Sequence, residues 1–127
     1  MADAAILILR VVLGVVIVLH GAYKFRNKSL FDRKWQEDYG FPKGSVLLTG
    51  VVQVACGLAI IGGVFGRVAA LILLLVMAVA TYVCIAKHRE PFLSTPEGKG
   101  WDINFLVMGS LVALILLGDG KWSLAGW

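Results

Sequence analysis

Charge is scarce in this chain. Of its 127 residues only 16% are Asp, Glu, Lys or Arg, and just eight are acidic. A soluble domain of this size needs about a quarter charged residues to wet its surface, so that class is excluded. Cysteine is nearly absent: Cys56 and Cys84 both sit inside apolar runs, and no CxxC occurs. A metal knuckle or redox pair is therefore unsupported, no metal site is expected, and the two thiols read as small buried hydrophobes. The three prolines fall at positions 42, 91 and 96, between the apolar runs. No basic stripe lies on a soluble surface, so no nucleic-acid partner is expected.

What is there instead is apolar side chain: 59% of the residues are hydrophobic, and the mean hydropathy is +0.85. A bilayer core of about 30 Å takes roughly 20 apolar residues per helix. The sequence predicts four such helices, at about 4–23, 45–64, 67–86 and 102–117, the last near the short limit. The expected fold is all-α: an integral membrane four-helix bundle with antiparallel up-down topology, one transmembrane domain over residues 1–127. Ser45 is a candidate N-cap, and Gly62, Gly63 and Gly66 leave room only for a tight turn. Gly118-Asp119-Gly120 stops the last helix. Trp101, Trp122 and Trp127 are placed as an interfacial aromatic belt. In the first loop Leu30, Phe31, Trp35 and Tyr39 recur at roughly helical spacing over Lys28–Gly40. That segment reads as a short surface helix or as an irregular polar loop.

The start of the chain lacks the positive n-region of a secretory signal, so the first apolar run is expected to stay as an anchor. Six Lys/Arg lie within 24–43 and three within 87–99, against Arg67 and Lys121 on the opposite side and Arg10 inside a helix. The positive-inside rule then puts loops 24–44 and 87–101 in the cytoplasm and both termini outside. The expected address is the cell inner (plasma) membrane, multi-pass, with the lipid bilayer and either partner membrane subunits or a second copy as surroundings.

Ionisable and amide side chains in hydrocarbon are costly and tend to face the bundle interior. Arg10 lies about 9 Å into the first helix, on one face with Gly14, Ile17, Gly21 and Lys24, and is expected to point into the bundle; the plain alternative is that it snorkels back to the outer interface. Gln53 lies near the middle of the second, flanked by Gly50 and Gly57, and an Arg10–Gln53 contact is expected. At the other end His20, Lys24, His88, Asp102 and Asn104 converge in depth. Asp102 shares a face with Gly109 and Ala113 and so can look inward, with Asn104 pointing nearly the opposite way. A cluster of Lys24, His88 and Asp102 can bind an anionic or quinone-like headgroup or relay protons; the plain alternative is ordinary charges at helix ends. The pair His20 and His88 is a weak case for axial haem ligation, so haem is not expected. Cys56 and Cys84 differ in depth by roughly 10 Å, beyond disulfide reach.

Several of these residues form a pattern. Helix one reads Arg10-Val-Val-Leu-Gly14, then His20-Gly21 and Lys24; helix two runs from Gln53 to Gly57, followed by Gly62, Gly63 and Arg67. Met77-Ala78 and His88 follow, then Trp101-Asp102, Leu116-Leu-Gly118-Asp-Gly120 and Ser123-Leu124. In order and spacing, nearly the whole chain resembles the DoxX family of small bacterial and archaeal membrane proteins. It departs at Gln53 and Asp102, where the family often has Glu, and at Ala125, where a Ser-Leu-Asp ending is common. An amide does not titrate, which weakens a proton-transfer role at Gln53. The family is similar to the membrane subunit of a thiosulfate:quinone oxidoreductase and to small subunits linked to terminal oxidases. Other members are associated with oxidative-stress or thiol systems.

The resemblance implies a subunit of, or accessory to, a quinone-linked redox system, with quinone as a candidate ligand and no covalent cofactor. Its recurrent positions here are Arg10, Gly21, Lys24, Gln53, His88 and Asp102. The alternatives are a non-catalytic assembly or anchor subunit of a larger membrane complex and, with less support, a small transporter. Small multidrug transporters need a carboxylate on helix one, where this chain has Arg10.

Overall fold

The structure, a computed structural model, describes residues 2–26, 45–87, 89–96, 98, 100–118, 120, 121, 123 and 124. They form four helices: α1 (Ala2–Arg26), α2 (Ser45–Gly62), α3 (Gly66–Ala86) and α4 (Asp102–Leu117). The proposed surface helix at 28–40, Trp122 and Trp127 lie outside the described residues.

α1 starts two residues earlier and runs three residues further than the hydropathy pattern indicates, to Arg26. Hydropathy marks where the lipid-soluble stretch ends, whereas backbone hydrogen bonding continues into polar residues that are good helix formers. Asp3 in its first turn faces the positive end of the helix dipole. α2 stops at Gly62, two residues before the expected end, because Gly63 takes a left-handed φ of 72°. The turn is a Schellman motif: Val64 N–H donates to Ala59 O (2.9 Å) and Gly63 N–H to Ile60 O (3.3 Å). By length and composition α1 and α3 can each cross a bilayer. α4, at 16 residues, spans only about 24 Å.

Each helix contributes one inward stripe. On α1 it is Ile6, Arg10, Leu13, Ile17 and Gly21; on α4 it is Asn104, Val107, Leu111 and Leu114. These repeat every three or four residues, the period of a helix packed on one side. The opposite faces are apolar as well: Ile8, Val12 and Leu19 on α1, Leu71, Leu75 and Tyr82 on α3, and Leu106 and Leu116 on α4 are all exposed. A helix that is apolar all round suits lipid rather than water.

α1 packs chiefly on α2, and α3 on α4. Glycine sets the first contact. A Cβ on Gly14 would stand 2.9 Å from the Gly57 carbonyl oxygen, and one on Gly21 would stand 2.9 Å from that of Gly50. The backbones thus touch, as small residues permit between membrane helices. Position 14 meets 57 and position 21 meets 50, so these two helices run in opposite directions. In the other pair Thr81 meets Met108 and Cys84 meets Asn104, again in descending register.

Candidate functional site: the Arg10 end of the bundle

Among the described residues the buried polar side chains are Arg10, Gln53, Thr81 and Asn104. Arg10 is only 2% exposed and lies about 12 Å along α1 from Ala2. Its Nε–H donates to Ile60 O (3.1 Å) and its Nη2 to Ile61 O (2.9 Å). These acceptors belong to the last turn of α2, whose carbonyls have no partner within the helix. The accounting there is complete. Ala59 O takes Val64 N–H, Ile60 O takes Gly63 N–H and Arg10, Ile61 O takes Arg10, and Gly62 O takes the Leu124 N–H at 2.9 Å. A cation is also favoured here by the negative end of the α2 dipole. The arginine of one helix therefore caps its neighbour.

The expected Arg10–Gln53 contact is corrected by this register. Gln53 precedes Ile60 by seven residues, about 10 Å along α2, and sits beside Gly21 instead. Shared burial in one interface does not put two side chains at one level when the helices run in opposite directions.

The chain's last described residues complete this end. Lys121 N–H donates to Asp3 Oδ1 (3.2 Å), Ser123 Oγ donates to Gly120 O (3.1 Å), and Ser123 packs directly on Gly63. Between this strap and the helices lies an open groove of about 430 Å³ lined by Leu7, Arg10, Ile61, Gly62, Lys121, Ser123 and Leu124. Composition had no means of finding it, because its walls come from both ends of the chain and the middle.

At the opposite end the expected orientations of Asp102 and Asn104 are reversed. Asn104 is buried, and its Nδ2 donates to Cys84 Sγ at 3.6 Å. Asp102 is half-exposed and turned into the loop before α4. Its Oδ1 accepts Ser94 Oγ–H (2.6 Å) and Ile103 N–H (2.9 Å), and its Oδ2 accepts Ser94 N–H (3.1 Å). Gly109 and Ala113 suggested the inward face, yet a Cβ on Gly109 would meet nothing within 4 Å. The inward face is the one carrying Val107, Leu111 and Leu114. His88 and the side chain of Lys24 lie outside the described residues, so of the expected cluster only Asp102 is placed. His20 is exposed, its Nδ1 2.8 Å from the Val16 carbonyl oxygen of its own helix.

Neither cysteine is in a disulfide. Thr81 Oγ1 donates to Met77 O (2.7 Å) and approaches Met108 Sδ (3.7 Å), which ties α3 to α4. Phe92, Trp101 and Phe105 pack edge to face, with 4.6 Å between the Phe92 and Trp101 ring centroids. The cluster joins the loop to the first turn of α4 where a belt aromatic is expected.

A buried arginine capping the second helix, glycine contacts between the first two, and the lipid-suited outer faces of α1 and α3 all fall within the region that one family model matches. The DoxX model matches residues 5–86. The chain belongs to the DoxX family. It is a helical membrane protein. It is also similar to an uncharacterized membrane protein of Mycobacterium tuberculosis, 27% identical over 130 residues that cover 94% of this chain and 78% of that one. No solved structure matches it significantly.

Proposed function

We propose that this DoxX protein is a membrane subunit of, or accessory to, a quinone-linked redox system, of respiratory or thiosulfate- or thiol-oxidising type. The observation that carries the reading is the division between inside and outside. Arg10, Thr81 and Asn104 are bonded within the bundle, whereas α3 and α4 turn Leu71, Leu75, Tyr82, Leu106 and Leu116 outward. Such a surface suits lipid and the helices of a partner. The family resemblance supports the redox context. A quinone carbonyl needs a hydrogen-bond donor. The Asp102 carboxylate is an acceptor already held by Ser94 and fits that task poorly. On this reading Lys24 and His88 supply the donors.

The test is purification of the full chain in mild detergent, with an absorption spectrum and native mass analysis. A stoichiometric partner carrying its own redox cofactor supports an accessory role, and loss of quinone reduction by that complex in Lys24→Gln or His88→Gln supports the donor assignment. A chain that comes alone and leaves a quinone analogue unreduced overturns the redox reading.

The second reading, a non-catalytic anchor or assembly subunit, is favoured by the bonding of Arg10: both described hydrogen bonds join one helix to another. A partner complex that keeps its turnover but falls apart when this chain is deleted supports it.

A further inference from the structure

We propose that the groove at the Arg10 end binds a phosphate-bearing anionic headgroup, with an anionic phospholipid as its source. The described lining residues include two cations, Arg10 in the floor and Lys121 at the rim, and no carboxylate. Ser123 adds a hydroxyl. Arg67, in the first turn of α3 beyond the Gly63 turn, adds positive charge to this end of the bundle without lining the groove. Among the described residues Asp3 is the nearby acid, and its Oδ1 accepts the Lys121 backbone N–H.

Apolar walls decide the kind of ligand. Leu7, Ile61 and Leu124 face the same space, and Leu124 is 85% exposed. A groove lined by both cations and aliphatic side chains suits an amphiphile, with its head at the cations and its chains along the bundle. The depth agrees: Arg10 lies about 12 Å along α1 from its start, within reach of the headgroup layer for a long side chain. One Lys or Arg near an anionic lipid surface contributes about 1 kcal/mol, roughly fivefold in occupancy. The proposal is independent of any redox role.

The test uses the full chain in mild detergent, equilibrated with equal amounts of phosphatidylglycerol and phosphatidylcholine and read by native mass spectrometry. One phosphatidylglycerol is expected to be retained under conditions that strip phosphatidylcholine. Lys121→Gln, on the surface and harmless to the core, is expected to lower that adduct about fivefold. Lys87→Gln, exposed at the other end of α3, is expected to leave it unchanged. A separate arm adds inorganic phosphate. Resistance of the adduct to phosphate supports the lipid source; displacement keeps the anion site and overturns the lipid source. Equal retention of both lipids, or equal effects of Lys121→Gln and Lys87→Gln, overturns the site.

Discussion

The Arg10 Nε–H lies 3.1 Å from the carbonyl oxygen of Ile60, fifty residues on in the chain. With the 2.9 Å bond from Nη2 to Ile61, it ends α2 with a side chain of α1. Hydrogen bonds from a charged group are among the stronger ones, and a buried carbonyl deprived of its donor carries the cost of its desolvation.

Arg10→Met therefore removes two donors and leaves the Ile61 oxygen stranded. Unfolding followed in mild detergent is expected to show a loss of about 1–3 kcal/mol. Arg10→Lys, which keeps the charge but loses the planar fork, is expected to recover only part of it. Full stability in Arg10→Met would sink the capping role.

Gly21→Leu should separate α1 from α2, because even its Cβ would stand 2.9 Å from the Gly50 carbonyl oxygen. A cost of about 1–3 kcal/mol or failure to fold is expected. Gly109→Ala has open space and is expected to be neutral or slightly stabilising, by up to ~1 kcal/mol from helix propensity. The same melting series checks both.

At Gly63 the φ of 72° and the contact with Ser123 act together. Gly63→Ala is expected to cost about 1–2 kcal/mol from the left-handed backbone alone. Gly98→Ala, with nothing within 4 Å, is its control and should change little.

Ser94→Ala removes the hydroxyl that donates to Asp102 and accepts the Gly100 N–H at 2.9 Å. The expected result is a local one: faster amide exchange at Gly100 and Ile103, with a global loss of about 1 kcal/mol or less. Unchanged exchange there would mean that the Asp102–Ser94 pair does not hold the loop.

The apolar runs by themselves determined that there are four helices and that lipid suits them, because hydropathy is a sum over neighbours in sequence. The inward face of α1 was legible too, since Arg10, Gly14, Ile17 and Gly21 recur at helical period and an arginine in hydrocarbon tends to turn toward protein, though snorkelling to the interface stayed open until the structure placed it. The partner of that arginine was not legible. Which level of α2 it meets depends on the direction and offset of the two helices, and those are fixed by backbone contact at Gly14–Gly57 and Gly21–Gly50. Likewise Gly109 and Ala113 marked a small-residue face on α4, but packing against α3 selected the face of Asn104, Val107, Leu111 and Leu114. A small residue permits close approach without requiring it. Only the tertiary structure set the last described residues over Gly62 and Gly63, where Leu124 and Arg10 together satisfy carbonyls that the helix leaves open.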